Sequence, residues 1–150
     1  MMLMLKYMLL LGIAVFIIKE PLPDQPDSET GSVILVVDGI NPQRGGSLSA
    51  GIFTQEFFPE TGKAAYERYL SVEAAVMEIH FDEIPAGEYA AAVFHDLDNN
   101  RELRTNFLGL PREPIGFSRD ARIRMGPPNY DDAYFIVRAG ETVTLTITLR

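Results

Sequence analysis

Residues 142–149 have the sequence TVTLTITL, in which threonine alternates without a break with valine, leucine and isoleucine. Successive side chains of an extended strand point to opposite faces, so this alternation predicts a strand with one buried face and one face in water. Residues 72–81 alternate in a similar way, and a change of phase near Val76 and Met77 indicates a bulge. The sequence therefore favours half-buried strands as the building elements of the fold.

Other short runs rich in strand-forming residues are bounded by turn signals. Strands are predicted at residues 33–37, 48–54, 89–94 and 133–138. Residues 84–87, with the sequence IPAG, predict a type I turn, and residues 57–70 are ambiguous between a short helix and a surface excursion. Because no long amphipathic helical pattern follows Ser32, we predict an all-β sandwich of about seven strands.

The chain has 150 residues, a net charge of −8 and no cysteine. This length allows one compact domain and little more. The negative charge argues against nucleic-acid binding, because nonspecific binding needs cations that displace counterions from phosphates. The lack of cysteine excludes a disulfide framework, a thiolate metal site and a lipid-anchored cysteine after a signal peptide. We therefore expect one domain that is stabilised by its core alone.

The first residues have the pattern of an export signal, since Lys6 supplies a positive charge and residues 8–18 form an apolar run. No small-x-small cleavage site follows, so an uncleaved membrane anchor stays open beside a cleaved signal peptide. Residues 20–31 hold three prolines among acidic residues, which predicts a linker. The expected organisation is a signal peptide or membrane anchor at 1–19, the linker at 20–31 and a β-sandwich domain at 32–150.

Oxygen-bearing side chains occupy alternate positions just after the strand predicted at residues 89–94. Calcium takes roughly six to eight oxygen ligands, and acidic loops with this spacing collect them. Glu102 would add its backbone carbonyl oxygen to the side chains of the other three residues. The sequence thus predicts a candidate calcium site formed by Asp96, Asp98, Asn100 and Glu102.

Three residues of the same loop oppose calcium binding. Arg101 stands where calcium loops need glycine, Phe107 stands where a closing glutamate is expected, and Arg104 adds a second positive charge. The favoured interpretation is a metal-free loop of Asx turns, in which Arg101 and Arg104 pair with the carboxylates. We expect no cofactor; calcium is the alternative, with Glu113 as a more distant carboxylate if a cation binds.

His80 and His95 are the only histidines, which is too few for a three-histidine zinc site and leaves open a zinc site of two histidines and a carboxylate. His95 next to Asp96 suggests a Ser-His-Asp triad with Ser118. However, the chain has no G-x-S-x-G motif, and adjacent residues of a strand point to opposite faces. A hydrolase that uses the corner of His95 and Asp96 is a minor alternative, and we expect His95 to anchor the loop through hydrogen bonds.

A long connection at residues 107–132 carries glycines, prolines and four arginines. Connections of this length are usually functional or disordered. The arginines either solvate the connection or recognise an anionic ligand, such as a carboxylate or phosphate of a cell-envelope polymer. Disorder is disfavoured because apolar side chains can attach the connection to the sandwich, namely Phe107, Leu108, Leu110, Ile115, Phe117 and Tyr130.

Three motifs resemble a known family. They are GEYAAAVFHDxDxN at residues 87–100, NFLGLPREPxGFS at residues 106–118 and GPPxYxDA at residues 126–133. The motifs are similar to those of exported bacterial proteins catalogued as domain of unknown function number twenty-one forty-one. The resemblance covers essentially residues 32–150. It implies export and an immunoglobulin-like or prealbumin-like β-sandwich, and it supplies no activity.

We predict an exported protein of the periplasm or cell envelope that acts as a noncatalytic binding or structural module. Its partner would belong to the cell envelope, and membrane contact is expected only through residues 1–19 if they stay uncleaved. The threonine face of residues 142–148 could instead form an edge for strand addition in a larger assembly. The predicted ligand-binding residues of the long loop are His95, Asn106, Arg112, Glu113 and Ser118.

Overall fold

The computed structural model describes residues 29–150, which form eight strands, one short helix and two 3-10 turns. The helix α1 spans Tyr130–Ala133, and the 3-10 turns span Pro42–Arg44 and Ser118–Asp120. The strands are β1 (Thr30–Asp38), β2 (Ser47–Phe53), β3 (Tyr66–Ser71), β4 (Met77–Pro85), β5 (Gly87–Asp96), β6 (Ile115–Phe117), β7 (Phe135–Val137) and β8 (Thr142–Thr148).

The predicted signal peptide or anchor at residues 1–19 lies outside the described residues, as do residues 20–28 of the predicted linker. β1 begins at Thr30, slightly before the predicted start of the domain at Ser32. Between residues 29 and 150, no helix is long and apolar enough to cross a membrane.

The strands form two sheets that face each other. In the first sheet, β1 lies between β4 and β8, and it pairs antiparallel with β4 and parallel with β8. The second sheet has the order β3, β2, β5 and β6, and β7 pairs with the start of β5. Apolar side chains of both sheets form one core. The predicted all-β sandwich is confirmed, with eight strands where about seven were expected. The immunoglobulin-like or prealbumin-like class stays a prediction.

The core lies between alternate residues of facing strands. Val33, Leu35 and Val37 of β1 are fully buried, whereas the residues between them are partly accessible. The second sheet supplies Leu48, Ala50, Ile52, Ala91 and Val93 to the same core. Burying a large aliphatic side chain contributes about 1.5–3 kcal/mol. The two sheets thereby form a rigid support for the loops that leave them.

β8 has the alternation that its sequence predicts. Thr142, Thr144 and Thr146 are exposed, whereas Ile147 is fully buried. The strand lies at the edge of the first sheet, where β1 is its ladder partner. An edge position is compatible with strand addition at β8, which stays a prediction.

The prediction of one bulged strand at residues 72–81 is wrong. β3 ends at Ser71, β4 begins at Met77, and residues 72–76 connect the two sheets. β4 begins there because Met77 pairs with Val37, near the end of β1, so residues before Met77 have no strand to pair with. The change of phase near Val76 therefore marks the boundary of a strand.

Residues 57–70 contain no helix. Residues 54–65 form an excursion that leads into β3, which pairs with β2. Likewise, the strand predicted at residues 133–138 begins only at Phe135, because α1 occupies Tyr130–Ala133.

The outer face of the second sheet is covered by the excursion at residues 54–65 and by the long loop after β5. Phe58 lies at the centre of this second apolar layer, with edge-to-face ring contacts to Phe53, Phe117 and Tyr130 at 5.9–6.0 Å between centroids. Phe94 of β5 is buried on the same side. Such aromatic pairs prefer this edge-to-face geometry. The long loop is thus held against the sheet that positions the site.

Candidate functional site

Asp96 forms the centre of the site at the end of β5. The residue pairs with Ser47 in the ladder between β5 and β2 and has no accessible surface. Its carboxylate accepts hydrogen bonds from the Tyr69 hydroxyl at 2.6 Å and from the backbone N–H groups of Arg101 at 2.7 Å and Asn100 at 3.2 Å. These bonds close the loop at residues 96–101 around a buried charge.

The hydrogen bonds also determine the ionisation of Asp96. Burial by itself raises the pKa of this carboxyl, because it disfavours the charged form. The hydrogen bonds from Tyr69, Arg101 and Asn100 favour the charged form and outweigh burial, so the pKa of Asp96 lies below its ordinary value. The pKa of Tyr69 is raised by burial and by its hydrogen bond to the carboxylate. Asp96 is therefore an anion in the folded protein at neutral pH.

Glu113 is the second buried carboxylate of the site, with only 4% of its surface exposed. Its two oxygens accept the backbone N–H groups of Leu97 at 2.9 Å and Arg104 at 3.0 Å. Because Leu97 leaves β5 and Glu113 leads back to β6, this side chain joins the two ends of the loop. Glu113 was expected to be a distant ligand, and the fold places it beside Asp96.

The structure brings three carboxylates together, those of Asp96, Asp98 and Glu113, with one oxygen of each within 4.8 Å of the others. Two of them belong to the predicted calcium set of Asp96, Asp98, Asn100 and Glu102. The side-chain oxygen of Asn100 accepts the N–H of Glu102 at 2.8 Å, and the Glu102 side chain is exposed. A hard cation would therefore meet Glu113 in place of Asn100 as a side-chain ligand.

The two arginines of this loop have different partners. The guanidinium of Arg104 binds the Asp98 carboxylate at 2.8 Å, as the metal-free interpretation expects. Arg101 was expected to pair with a carboxylate, but its guanidinium lies over the ring of Tyr69, 4.5 Å from the centroid. Its backbone has a φ of 64°, in the region that favours glycine. The turn is thus made by an arginine at the position where calcium loops carry glycine.

His95 points to the opposite side of β5 from Asp96. It pairs with Leu48 of the core and is fully buried, and its Nε2 is 2.6 Å from the carbonyl oxygen of Gly45. Because a carbonyl only accepts, Nε2 carries the proton. Nδ1 has no hydrogen-bond partner among residues 29–150. The imidazole of His95 therefore connects β5 to the turn before β2, and not to the loop that follows β5 as expected.

Ser118 is also buried and is not bonded to His95. Its hydroxyl accepts the N–H of Ala91 at 2.8 Å and contacts the carbonyl oxygens of Ala91 and Ala133. These bonds attach the end of β6 to β5 and to α1. The hydroxyl, the imidazole and the carboxylate are each used in separate structural contacts. The geometry does not assemble a Ser-His-Asp triad from them.

Asn106 and Arg112 lie in a hairpin formed by residues 104–112. The side-chain oxygen of Asn106 accepts the N–H groups of Leu108 at 2.9 Å and Leu110 at 3.0 Å, and the N–H of Arg112 binds the carbonyl of Arg104. The Arg112 side chain is exposed. Among the predicted ligand-binding residues, Arg112 thus faces solvent, while His95, Glu113 and Ser118 are buried. Their role in ligand binding stays a prediction.

Not all apolar side chains of the long loop attach it to the sandwich. Phe107 is 95% exposed and Leu108 is 68% exposed, so the expectation that they pin the loop is wrong. The hydrogen bonds of Asn106 fix the turn, and the side chains at its tip extend into solvent. Phe117 is buried as predicted, and its ring contacts the half-buried Phe58, whose role the ambiguous pattern of residues 57–70 concealed.

An apolar cleft of about 250 Å³ lies between the hairpin at residues 104–112 and the segment at residues 121–127. Its apolar lining includes Leu103, Leu110, Pro111, Ile115, Phe117 and Ile123. A recess of about 360 Å³ shares five of these lining residues and adds Glu113, Arg122 and Arg150. Arg150 is occupied by a bidentate pair with Asp120 at 2.7 and 2.6 Å. The cleft thus has an apolar body with arginine at one end.

The fold and the site define a β-sandwich domain with a buried polar centre and an adjoining apolar cleft. The chain belongs to a bacterial family described as an uncharacterized protein conserved in bacteria (DUF2141), whose profile matches residues 35–145. This match extends from β1 to β8 and confirms the family that the motifs indicate. It carries no enzyme assignment. No curated protein and no solved structure matches the chain.

Proposed function

We propose that this protein is a noncatalytic binding module of the periplasm or cell envelope, and that it binds a small amphipathic anion in the cleft beside the long loop. The observation that carries the proposal is the apolar cleft of about 250 Å³ that continues into a recess with Arg122. Ligand sites are concave and mostly apolar, with a few polar groups that orient the ligand. An acyl or aryl group would occupy the cleft and its acidic group would approach Arg122.

The residues at the corner of β5 support binding without catalysis. His95 and Ser118 are buried and bonded to backbone groups, and Asp96 is surrounded by three donors. A general base must reach the proton that it removes, and none of these groups faces the cleft lining. A hydrolase at the His95 corner therefore has less support. Export to the periplasm or envelope rests on the apolar pattern of residues 8–18.

The proposal is tested with 1-anilinonaphthalene-8-sulfonate, an aromatic anion that fluoresces in apolar surroundings. We expect saturable fluorescence with the native protein and a higher unfolding midpoint, because a ligand of the folded state stabilises it by mass action. The variant Gly126→Trp is designed to obstruct the cleft, because it adds a large side chain at a lining residue where a Cβ meets no atom within 4 Å. We expect this variant to lose the signal.

The matched control is Ala139→Trp, which places the same side chain in the exposed turn between β7 and β8. This variant should bind the probe as the wild type does. Equal binding by Gly126→Trp would place the probe outside the cleft and contradict the proposal. Absence of saturable binding to the native wild-type protein would contradict it as well.

A second candidate function is calcium binding, favoured by the cluster of Asp96, Asp98 and Glu113. Three carboxylates with oxygens within 4.8 Å of one another suit a hard cation. The guanidinium of Arg104, bonded to Asp98, opposes it by charge. Removal of this guanidinium should strengthen the site, and its partly exposed ion pair contributes little to stability.

This candidate is tested by thermal unfolding with millimolar calcium and with chelator. For Arg104→Ala we expect calcium to raise the midpoint more than for the wild type, with affinity increased about tenfold or more. Arg138→Ala is the control, because it removes an exposed ion pair with Glu141 at the other end of the sandwich. If calcium shifts neither the wild type nor Arg104→Ala, the cluster is not a calcium site.

A further inference from the structure

Three large apolar side chains project from neighbouring loops into solvent. Phe107 and Leu108 form the tip of the hairpin at residues 104–112, with 95% and 68% exposure, and Met125 is fully exposed in the next loop. The two loops lie side by side, because Leu110 of the hairpin and Ile123 line the same cleft. Isolated exposed apolar residues are ordinary, but a cluster of them marks a contact surface.

The backbone holds each tip in place. Asn106 accepts the N–H groups of Leu108 and Leu110, and the N–H of Asn106 binds the carbonyl of Leu110 at 2.8 Å. Around Met125, the N–H of Arg124 binds the carbonyl of Gly126 at 3.3 Å. The tips are therefore preorganised, so a contact would require little ordering of the backbone.

The segment at residues 101–124, which includes the hairpin tip, has a net positive charge, in contrast to the whole chain. Residues 101–124 hold six arginines and three acidic residues, whereas the chain has a net charge of −8. Arg112 lies at the base of the hairpin and Arg124 lies next to Met125, both with exposed side chains. Neither forms an ion pair within residues 29–150. The exposed side chains of Arg112 and Arg124 therefore favour an anionic partner at this face.

We propose that Phe107, Leu108 and Met125 insert into the headgroup region of an anionic lipid bilayer, while Arg112 and Arg124 contact lipid phosphates. Apolar side chains at a bilayer interface are stabilised by burial, and nearby arginines are attracted to anionic lipid. The three side chains are separate and largely exposed to solvent. Fluid lipid can surround each of them without a preformed pocket. A protein partner would need a preformed pocket for each tip.

This inference goes beyond the proposed cleft ligand, because the tips contact a surface and the cleft encloses a soluble molecule. It also extends the membrane contact that was expected only of residues 1–19. The remainder of the domain is acidic, so repulsion from anionic lipid would orient the loops toward the bilayer. The two functions can succeed or fail independently.

The experiment uses the full chain and the absence of tryptophan from its sequence. The variant Phe107→Trp places one fluorophore at the hairpin tip, and Ile136→Trp places one on β7, which pairs with the start of β5 at the far end of the sandwich. Vesicles contain phosphatidylglycerol with phosphatidylcholine, or phosphatidylcholine alone, and a second set carries brominated acyl chains. The tryptophan fluorescence reports the surroundings of the tip, independently of any membrane contact of residues 1–19.

We expect the emission of Phe107→Trp to shift to shorter wavelengths and to be quenched by bromine with phosphatidylglycerol vesicles. Ile136→Trp should show neither change. Adding Arg112→Gln or Arg124→Gln to Phe107→Trp should weaken vesicle affinity about fivefold each. The inference is overturned if the emission of Phe107→Trp neither shifts nor is quenched with anionic vesicles. That result would favour a protein as the partner of the tips. It is also overturned if both tryptophans respond alike.

Discussion

At the scale of single residues, the carboxylate of Asp96 holds the site together. Three donors surround it in a position without solvent. We expect Asp96→Asn to lower the free energy of unfolding by about 2–3 kcal/mol at neutral pH, because hydrogen bonds to a buried charge are lost or weakened. Urea unfolding measures this change, with the exposed Asp131→Asn as control.

The pH dependence of this effect follows from the sign of the pKa shift. The pKa of Asp96 is lower in the folded than in the unfolded protein. The contribution of the Asp96 charge to the free energy of unfolding is therefore complete above the unfolded pKa of about 4. The contribution is lost as the pH falls through the folded pKa. The difference between wild type and Asp96→Asn should therefore narrow in acid. A difference that stays constant down to low pH would show that the charge of Asp96 is unimportant.

At the scale of elements, β6 and β8 approach each other at Gly116. A Cβ built at this position would lie 2.6 Å from the carbonyl oxygen of Thr148 and from the Cγ2 of Ile147. We expect Gly116→Ala to destabilise the protein by about 1–3 kcal/mol, because β6 and β8 must separate. Chemical denaturation measures the loss. Gly126→Ala, whose Cβ meets nothing within 4 Å, is the control and should stay within about 0.5 kcal/mol.

A strand could be predicted from the sequence where its own residues form a recognisable pattern, without information on its neighbours in the fold. The alternation in β8 and the β-branched run in β1 are local features, and both strands were found. The boundary at Met77 depends on where β1 ends, and the exposure of Phe107 depends on the hydrogen bonds of Asn106. The nearness of Glu113 to Asp96 depends on the return of the loop to β6. Contacts between residues far apart in sequence decide the boundary at Met77 and the position of Glu113, and the periodicity of apolar residues carries no information on such contacts.

At the scale of the whole molecule, the second apolar layer attaches the long loop to the sandwich. Phe58 has edge-to-face contacts with Phe53, Phe117 and Tyr130. We expect Phe58→Ala to lower stability by about 2–3 kcal/mol and to accelerate amide hydrogen exchange in β6 and α1. Amide hydrogen exchange in the interior strand β1 should accelerate only as much as the lower global stability predicts.

The neighbouring residue provides the control for this prediction. Phe57→Ala removes a half-buried ring that lies beneath the ammonium group of Lys63, 5.4 Å from the ring centroid. We expect a loss of about 1 kcal/mol or less and no selective exchange in the loop. Equal effects of the two substitutions would mean that the ring cluster does not hold the loop.

The parallel pairing of β1 with β8 has a consequence for synthesis of the chain. Seven residue pairs, from Ser32 with Thr142 to Asp38 with Thr148, join the first described strand to the last. Until β8 has left the ribosome, β1 lacks one of its two ladder neighbours, and pairing over so long a separation in sequence is slow. A nascent chain that stalls before β8 would therefore expose one edge of β1, a strand of the core, to chaperones and to other chains.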